Sequence, residues 1–378
     1  MHRTEPDSEC RVLCGAPGSV DAGRPAVPAS QQEIDVAQGQ LARLVFGQLA
    51  ARAVGTALRL GVLDRFGRDG TPRPAAEVAA GLGAEPRATL RLLRALAALQ
   101  LLAEPAPGSF ALAPAGALLH GDAESPEGDG TSMAAFVRMF TGPVVLSGWD
   151  HLADSLRTGE PSFEKAFGVD CFGYLKQNPQ ASAEFNAAMS QGTKAPAAAL
   201  AAAYGFDRYK TVVDVGGGDG TLLAAILRGH PGLRGMLFDT PEGVAEAGAV
   251  LAREQVAERV TVHAGDFFAG VPAGGDLYLL KSVVIDWEDD ACVAILDQCR
   301  RAVPDGGRLL VVEPVLPPAV DGSTPPGAYL SDLNMLVNTG GRVRTRAEIE
   351  GLMTRAGFTP TGLTPLPPPF AALEAAPA

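Results

Sequence analysis

The stretch that decides the fold is VVDVGGGDGT at residues 212–221. Mostly apolar residues lead into a run of glycines, and an apolar pattern with helical spacing follows from Leu222. This order predicts a buried strand, a tight turn and the start of a helix. Glycine permits a positive φ and lets a ligand approach the backbone, and the first N–H groups of a helix have no partner within it. The turn is therefore a candidate binding site for a small ligand.

The acidic residues around this turn restrict the ligand. A phosphate-binding loop would end in Gly-Lys-Ser/Thr, whereas residues 219–221 read Asp-Gly-Thr. A dinucleotide loop would need a third glycine at Thr221, and the carboxylates of Asp214 and Asp219 would repel a pyrophosphate. A cationic ligand suits the turn better. S-adenosylmethionine carries an ammonium and a sulfonium, so it is a candidate for that ligand, and the rest of the domain must agree with it.

The rest of the C-terminal half has the pattern of an α/β domain. Short apolar runs alternate with helical segments, which predicts a parallel sheet covered by helices in a Rossmann-like domain over residues 191–378. The predicted strands are 211–215, 236–238, 260–263, 277–280 and 309–312, and the predicted helices are 222–228, 244–255 and 290–302. Cys292 and Cys299 are seven residues apart on the last of these helices and are predicted to be core residues.

Two further acidic positions agree with a nucleoside ligand. Asp239 ends the second predicted strand 25 residues after Asp214, near the spacing at which a carboxylate meets ribose hydroxyls. Asp266 and Phe267 follow the third strand, where they offer an acceptor for an adenine amino group and an aromatic neighbour. Taken alone, this pair could be a turn and a core residue. After the first two motifs it favours a nucleoside site.

The N-terminal part predicts a tail followed by a helical domain. Residues 1–30 are rich in proline and glycine without periodicity, so a disordered tail is expected. Residues 31–120 contain helical patterns and then a short hairpin at 102–112, which resembles a winged helix. Arg87, Arg91 and Arg94 could form a DNA-recognition face, or a solvated face beside leucines that pack within the domain or against a second subunit. Packing is the favoured interpretation.

The segment 121–190 is predicted to be a helical linker that carries the substrate pocket. It begins with an acidic, turn-rich connection at 121–130 and then holds much of the aromatic content of the chain. Two interpretations are open, a plain hydrophobic core and an apolar pocket for an organic substrate. The bulky residues are Phe136, Met139, Phe140, Trp149, Phe163, Phe167, Phe172 and Phe185.

Composition restricts the classes of function. The 378 residues suffice for two or three domains, and 47% apolar with 20% charged residues is ordinary for globular proteins. The formal charge of −12 argues against nucleic acid as a partner. Five cysteines form no disulfide framework and no Cys/His group has zinc spacing, so no metal site is predicted. With no long apolar run, the chain is expected to be cytoplasmic and to have no membrane partner.

A series of motifs in order resembles the plant and bacterial small-molecule O-methyltransferases. The motifs are LRTGEPSF at 156–163, EFNAAMS at 184–190, VVDVGGGDG at 212–220, GDFF at 265–268, DLYLLKSVVIDWEDD at 276–290, GGRLLVVEPVLP at 306–317 and GGRVRT at 340–345. The resemblance covers about residues 35–360. It implies a mainly α, winged-helix-like dimerisation domain, an α/β S-adenosylmethionine-dependent methyltransferase domain, and a homodimer.

The resemblance also implies which residues form the site. The cofactor-binding residues would be Asp214, Gly216, Gly218, Asp239, Asp266, Phe267, Lys281 and Thr193. The resemblance places Met189 and Trp287 near the reacting methyl group. Together with the aromatic-rich segment and the matched motifs, this gives a predicted substrate pocket of Phe136, Met139, Phe140, Trp149, Phe163, Phe172, Met189, Ile285, Trp287, Asn334 and Val343. Outside both sets, Arg342 and Arg344 are expected on a solvated surface or at an acidic group of the substrate.

The chain departs from this family at its acid/base positions. Ile285 stands where the family commonly has a histidine base, and Val343 replaces one of the two glutamates that orient that histidine. Glu313 matches the other glutamate, and it is expected either as a pocket carboxylate or as a cap of the strand end against Lys281. His151 lies in the aromatic-rich segment and would be available as a base if it faces the pocket. Glu313 and His151 are therefore the candidate catalytic residues.

Methyl transfer does not require a histidine base. A general base contributes about 10²- to 10⁴-fold, roughly 3–5 kcal/mol, whereas aligned reactants reach effective molarities of about 10⁵ M or more. An acidic phenol or enol, or an electron-rich carbon or amine, needs the base least. The predicted function is methyl transfer by proximity and desolvation to a small aromatic or polyketide-like secondary metabolite. The alternatives are a family member that catalyses cyclisation, decarboxylation or hydroxylation, and a winged-helix regulator.

Overall fold

The computed structural model of the chain describes residues 30–121 and 131–378. The predicted tail at 1–30 lies outside the described residues except for Ser30, and the acidic connection lies outside them except for Gly121. Ser30 caps the first helix: its hydroxyl accepts from the Glu33 N–H, and the Glu33 carboxylate accepts from the Ser30 N–H. This reciprocal cap starts the helix ten residues before the apolar periodicity that predicted it.

The N-terminal domain consists of helices followed by a hairpin, as predicted. The elements are α1 (Gln31–Arg59), β1 (Arg73–Pro74), α2 (Ala75–Leu82), α3 (Pro86–Ala98), β2 (Leu102–Ala106), β3 (Ser109–Leu112) and α4 (Pro114–Ala117). The strands β2 and β3 pair antiparallel, and β1 pairs on the other side of β3. Leu93, Leu96 and Phe110 are fully buried, so α3 packs its leucines into the core of this domain.

Helix α1 leaves an apolar row uncovered by the described part of the chain. Leu41, Leu44, Val45 and Leu49 recur at three- and four-residue steps, and each is more than half exposed. Single exposed leucines are ordinary on protein surfaces, but a continuous row of this kind marks an interaction surface.

Six helices connect the two domains. They are α5 (Ala134–Thr141), α6 (Pro143–Trp149), α7 (Leu152–Thr158), α8 (Phe163–Phe167), α9 (Cys171–Gln177) and α10 (Pro179–Ala203). Helix α10 runs without a break across the boundary predicted at residues 190 and 191. It packs against α5 and against the first helix of the α/β domain, to which a 2.7 Å hydrogen bond between the hydroxyls of Ser190 and Thr221 joins it.

The C-terminal domain is an eight-stranded sheet covered by helices. Its strands are β4 (Thr211–Val215), β5 (Arg234–Asp239), β6 (Val260–Ala264), β7 (Leu277–Lys281), β8 (Arg308–Leu316), β9 (Arg344–Thr345), β10 (Phe358–Pro365) and β11 (Phe370–Pro377). Its helices are α11 (Thr221–Gly229), α12 (Ala247–Arg253), α13 (Asp289–Ala302), α14 (Pro326–Asn338) and α15 (Arg346–Arg355). The strand order is β10-β11-β8-β7-β4-β5-β6, with the short β9 beside β8.

The sheet confirms the predicted Rossmann-like pattern and adds a hairpin to it. The five predicted strands correspond to β4, β5, β6, β7 and β8, which pair in parallel. The antiparallel pair β10 and β11 was not predicted. Cys292 and Cys299 are fully buried in the core, as predicted. Strand order reverses at β4, so the carboxyl ends of β4, β5 and β7 meet at the switch point where ligands of such sheets bind.

The segment after α14 lies directly against the turn that follows β7. A Cβ atom on Gly341 would lie 2.1 Å from the carbonyl oxygen of Ile285 and 2.4 Å from the carbonyl carbon of Asp286. Both are backbone atoms, so neither side can move away by rotating a side chain. The contact requires glycine and brings α14 to the switch point.

Replacement of Gly341 by alanine should therefore destabilise the α/β domain by about 1–3 kcal/mol, the usual cost of overpacking. The measurement is the urea unfolding midpoint of the purified protein. Gly351→Ala in α15 is the matched control, because its Cβ would meet no atom within 4 Å and should stabilise the helix by about 0.5–1 kcal/mol. Equal midpoints for Gly341→Ala and the unsubstituted protein would contradict the close backbone contact.

Candidate active site

The glycine turn after β4 forms one wall of the site. Gly216 has a φ of +70°, and its N–H donates to the carbonyl of Phe238 at 2.8 Å. A Cβ on Gly216 would lie 2.7 Å from Cγ2 of Val283 and 3.8 Å from Cε1 of Phe267. The glycine turn thus lies against Val283, in the turn that follows β7, and beside the ring of Phe267, which follows β6.

Two carboxylates of the predicted cofactor site lie at the ends of β4 and β5. Asp239 is held by the backbone, since its oxygens accept from the N–H groups of Gly218 at 2.8 Å and Thr240 at 2.6 Å. Asp214 is 1% exposed, and neither of its carboxylate oxygens has a hydrogen-bond partner among the described residues. Burial, and then the carboxylate of Asp239, raise the pKa of Asp214 to about 7. Unpaired buried acceptors of this kind fit a ligand that brings its own positive charge.

The motif after β6 sits beside this turn. The Asp266 carboxylate accepts from the Phe268 N–H at 2.8 Å, while the Gly265 N–H donates to the Asp239 carbonyl at 2.9 Å. The ring of Phe267 lies next to Gly216. The structure therefore brings the three predicted nucleoside positions to adjacent strand ends.

Lys281 ends β7 and links the sheet to α10. Its Nζ donates to Oγ1 of Thr193 at 3.0 Å, as the assignment of both residues to one site requires. Burial lowers the pKa of Lys281, and the carboxylates of Glu313, Asp214 and Asp286 oppose this shift. The lysine is the central cation among these buried carboxyl groups.

An apolar cavity of about 680 Å³ opens next to Lys281. Its walls come from α5, α6, α9, α10 and α14 together with the turn after β7. The predicted pocket residues that line it are Phe136, Met139, Phe140, Trp149, Phe163, Phe172, Met189, Ile285 and Asn334. Asn334 accepts hydrogen bonds from the indole N–H of Trp149 and from the side chain of Asn338, both at 2.9 Å. The aromatic-rich segment thus forms a pocket as well as a core.

Two predicted pocket residues lie behind the cavity wall. Trp287 stacks on Phe172 with ring centroids 5.1 Å apart and meets the edge of Phe267 at 6.1 Å. It stands between the glycine turn and the cavity, without lining the cavity. Val343 is 6% exposed, and its N–H donates to the carboxylate of Asp332 at 2.7 Å. Both residues support the pocket from outside.

The prediction that His151 acts as a base has to be corrected. Its side chain is 44% exposed and lies 3.8 Å from the carboxylate of Asp154, outside the residues that line the cavity. Trp149, two positions earlier at the end of α6, faces the cavity. His151 lies beyond the end of α6, at the N-cap of α7, where the chain leaves helical geometry, so the periodicity of α6 does not carry its side chain to the cavity.

Glu313, the other candidate, lies beneath the turn after β7. One carboxylate oxygen, Oε1, accepts from the N–H groups of Val283 at 3.0 Å and Val284 at 2.8 Å. The same oxygen accepts a longer hydrogen bond from the N–H of Ile285 at 3.4 Å. The other oxygen, Oε2, is buried without a partner among the described residues. Burial, and then Asp286, raise the pKa of Glu313 to about 8. Because Glu313 does not line the cavity, it positions the turn and does not contact the acceptor.

Arg344 holds the same turn from its other side. It is 2% exposed, and its guanidinium donates to the carbonyls of Val284 and Trp287, both at 2.8 Å, and to the carboxylate of Asp289. Both interpretations of Arg344 from the sequence, surface residue and substrate-binding residue, are therefore wrong. It is a buried structural cation, and Arg342 also binds Asp289.

Asp286 is the functional candidate that the sequence reasoning missed. It follows Ile285 in the turn, lines the cavity, and its carboxylate accepts no hydrogen bond from the described residues. Burial raises the pKa of Asp286 to about 7, and Lys281 opposes the shift. An acidic residue directly after a missing histidine was the available signal.

Two kinds of site are absent from residues 30–121 and 131–378. No group of three or more His, Cys, Asp or Glu side chains could hold a metal ion there. Within the same two ranges, no helix combines the length and apolarity needed to span a bilayer.

Comparisons with known proteins agree with this geometry. Residues 149–359 match the model of the O-methyltransferase domain, and residues 42–122 match the O-methyltransferase dimerisation domain. The chain is 46% identical over 360 residues to an O-demethylpuromycin-O-methyltransferase of Streptomyces alboniger, covering 93% of this chain and 92% of that protein. A phenazine O-methyltransferase of Lysobacter antibioticus is 38% identical, with 89% and 95% covered.

A solved structure carries the same fold with cofactor bound. The crystal structure of NcsB1, an O-methyltransferase from neocarzinostatin biosynthesis, contains S-adenosylmethionine and 2-hydroxy-5-methyl naphthoic acid. It superposes with a TM-score of 0.71 at 32% identity, covering 87% of this chain and 96% of that one. The comparisons give no support to a non-methylating reaction or to a regulator. Because both domain models match and a relative that is 46% identical covers 93% of the chain, the chain belongs to the S-adenosylmethionine-dependent O-methyltransferase family and is a methyltransferase.

Proposed function

We propose that the protein transfers a methyl group from S-adenosylmethionine to an acidic hydroxyl group of a small aromatic metabolite and releases S-adenosylhomocysteine. The observation that carries this proposal is the apolar cavity of about 680 Å³ beside Lys281 and the turn after β7. Val283 of that turn lies against Gly216, so the cavity and the glycine turn are separated by one short segment. Most of the cavity lining is apolar, and its polar groups include Lys281 and Asp286 at the β7 end and Asn334 on α14, as in pockets that orient an organic ligand. The relatives that act on O-demethylpuromycin and on phenazines support the substrate class.

The residues present fit the cofactor. The unpaired carboxylate of Asp214 suits a cationic ligand, and the space beside Gly216 is a cradle that a Cβ atom would fill. In this proposal Asp239, Asp266 and Phe267 hold the nucleoside. Further residues toward the methionine end are Gly216, Gly218, Asp214, Lys281 and Thr193. When bound, S-adenosylmethionine supplies an electrophilic methyl group on a sulfonium.

The apolar cavity contributes by position and by exclusion of water. Phe136, Phe140 and Met189 line it, so an aromatic acceptor gains hydrophobic contact while its hydroxyl points toward the β7 end. Alignment of this kind supplies effective molarities of about 10⁵ M or more. A phenol with a pKa near 10 is about one part in a thousand ionised at pH 7, so acidified hydroxyl groups are the favoured acceptors.

The direct test is incubation of the protein with S-adenosylmethionine and a series of substituted phenols and hydroxynaphthoic acids. The expected product gains one methyl group for each S-adenosylhomocysteine released, because transfer couples the two. Product mass and S-adenosylhomocysteine are measured in the same reaction. An isomerised or decarboxylated product with the cofactor intact would contradict methyl transfer.

Gly216→Ala should weaken the binding of S-adenosylhomocysteine by at least about tenfold. Its φ of +70° and the 2.7 Å approach of its Cβ to the stiff side chain of Val283 both oppose alanine. Calorimetry of the purified variant gives the affinity. Gly229→Ala, at the end of α11, is the control, since its Cβ would meet no atom within 4 Å. Unchanged affinity in Gly216→Ala would remove the glycine turn from the cofactor site.

The protein is proposed to function as a homodimer in which a second copy covers the apolar row of α1. Residues 42–122, which include most of that row, match the dimerisation model. Leu44 is 76% exposed in the single chain, more than any other residue of the row. Removing such a continuous row from water is the main favourable term in association.

Leu44→Glu should therefore shift the protein from dimer to monomer, because the substitution buries an unpaired charge at the contact. The mass in solution is measured by light scattering over a range of protein concentrations. Val320→Glu is the matched control: Val320 is 77% exposed but lies far along the chain in the α/β domain. A monomeric unsubstituted protein, or a Leu44→Glu variant that stays dimeric, would contradict this assignment.

A further inference from the structure

We propose that the carboxylate of Asp286 accepts the proton of the acceptor hydroxyl during methyl transfer. The inference rests on the proposed function and goes beyond it by naming the base in a chain that has isoleucine at the histidine position. Asp286 ends the short 3-10 turn of residues 284–286 and lines the cavity beside Ile285 and Lys281. It is the carboxylate at the β7 end of the cavity, in the same short turn as Val283, which lies against Gly216.

The hydrogen bonding of Asp286 leaves its carboxylate available. None of the described residues donates to it, whereas the Asp239 carboxylate accepts two backbone N–H groups and Oε1 of Glu313 accepts from the turn. The turn itself is fixed by Glu313 below and Arg344 behind. A carboxylate on a fixed backbone, with free lone pairs toward a cavity, can accept a proton from a bound ligand without rearrangement.

The charged surroundings favour a base that works near neutral pH. Burial raises the pKa of Asp286 to about 7, and the ammonium of Lys281 on β7 opposes the shift. Burial, and then Asp286, raise the pKa of Cys171 to about 12, so this thiol stays neutral and does not compete. The titratable or charged side chains that face Asp286 or its cavity from other elements are Lys281, Glu313, Cys171, Glu184 and Arg138.

The step balances in atoms and charge. The O–H bond of the acceptor breaks, its proton goes to a carboxylate oxygen of Asp286, and the freed electron pair of the oxygen forms the bond to the methyl carbon. The pair of the C–S bond stays on sulfur. One negative charge on Asp286 and one positive charge on sulfur disappear together, which a cavity of low dielectric favours. Protonated Asp286 returns its proton to water after product release.

The test compares Asp286→Asn with the unsubstituted protein on two phenols of similar shape, one with a pKa near 10 and one near 7. At pH 8 the variant should lose about 10²- to 10⁴-fold in kcat/KM on the weak acid, the usual contribution of a general base, and less than about tenfold on the acidic phenol. In the unsubstituted protein, kcat/KM should rise through about pH 7 and level off, since a carboxylate accepts protons only above its pKa. The variant should instead keep rising toward the pKa of the phenol.

Glu288→Gln is the matched control, because this exposed carboxylate lies two residues away in the same segment. It should leave both reactions and the pH profile unchanged. Equal losses of Asp286→Asn on both phenols, or an unaltered pH profile, would overturn the inference. A protein that methylates neither phenol, in its unsubstituted form, would instead contradict the proposed function.

Binding provides a readout that does not depend on turnover. In protein saturated with S-adenosylhomocysteine, Asp286→Asn should weaken the binding of the neutral phenol, because an amide oxygen is a weaker acceptor than a carboxylate. The same variant should strengthen the binding of the phenolate, which loses a repelling charge. A purely structural role would weaken both. If the variant does not fold, the pH dependence of kcat/KM in the unsubstituted protein still tests the inference. A kcat/KM proportional to the ionised fraction of each phenol would show that no protein base acts.

Discussion

The site depends on the way one buried carboxylate holds the turn after β7. Oε1 of Glu313 accepts from the N–H groups of Val283 and Val284, and the guanidinium of Arg344 binds carbonyls on the other side of the turn. The turn is therefore fixed from both sides. Val283 contacts the glycine turn, while Ile285 and Asp286 line the cavity. A single short segment thus sets the proposed cofactor wall and the proposed acceptor wall relative to each other.

Charge is distributed unequally over the two walls. Asp214 and Asp239 lie on the proposed cofactor side, which suits a cationic ligand, while the cavity proposed for the acceptor is lined mainly by aromatic and aliphatic side chains. Transfer of a methyl group from a sulfonium to an ionising hydroxyl removes opposite charges. A dry cavity favours that change, and alignment of the reactants lowers the demand on acid/base chemistry. For these reasons, methyl transfer is compatible with an isoleucine at position 285, where the resemblance implies a histidine base.

Local patterns allowed the sheet, the glycine turn and most of the pocket to be predicted. The hairpin of β10 and β11 escaped prediction because its alanine-rich strand Phe370–Pro377 has little intrinsic strand preference and forms by pairing with β8. The directions of individual side chains could not be predicted from the sequence either. Whether His151 or Asp286 faces the cavity depends on the end of α6 and on the turn after β7, whose shape is set by contacts such as that of Arg344, 60 residues away. Periodicity in the sequence indicates local structure only, so it does not predict contacts between residues so far apart.

The most direct measurement is a crystal structure of the protein with S-adenosylhomocysteine and a phenolic acceptor bound together. The account predicts the nucleoside between Asp239 and Phe267, and the hydroxyl oxygen of the phenol within about 3.2 Å of a carboxylate oxygen of Asp286. A phenol whose hydroxyl lies away from the turn after β7, or a nucleoside bound elsewhere than at the glycine turn, would contradict it.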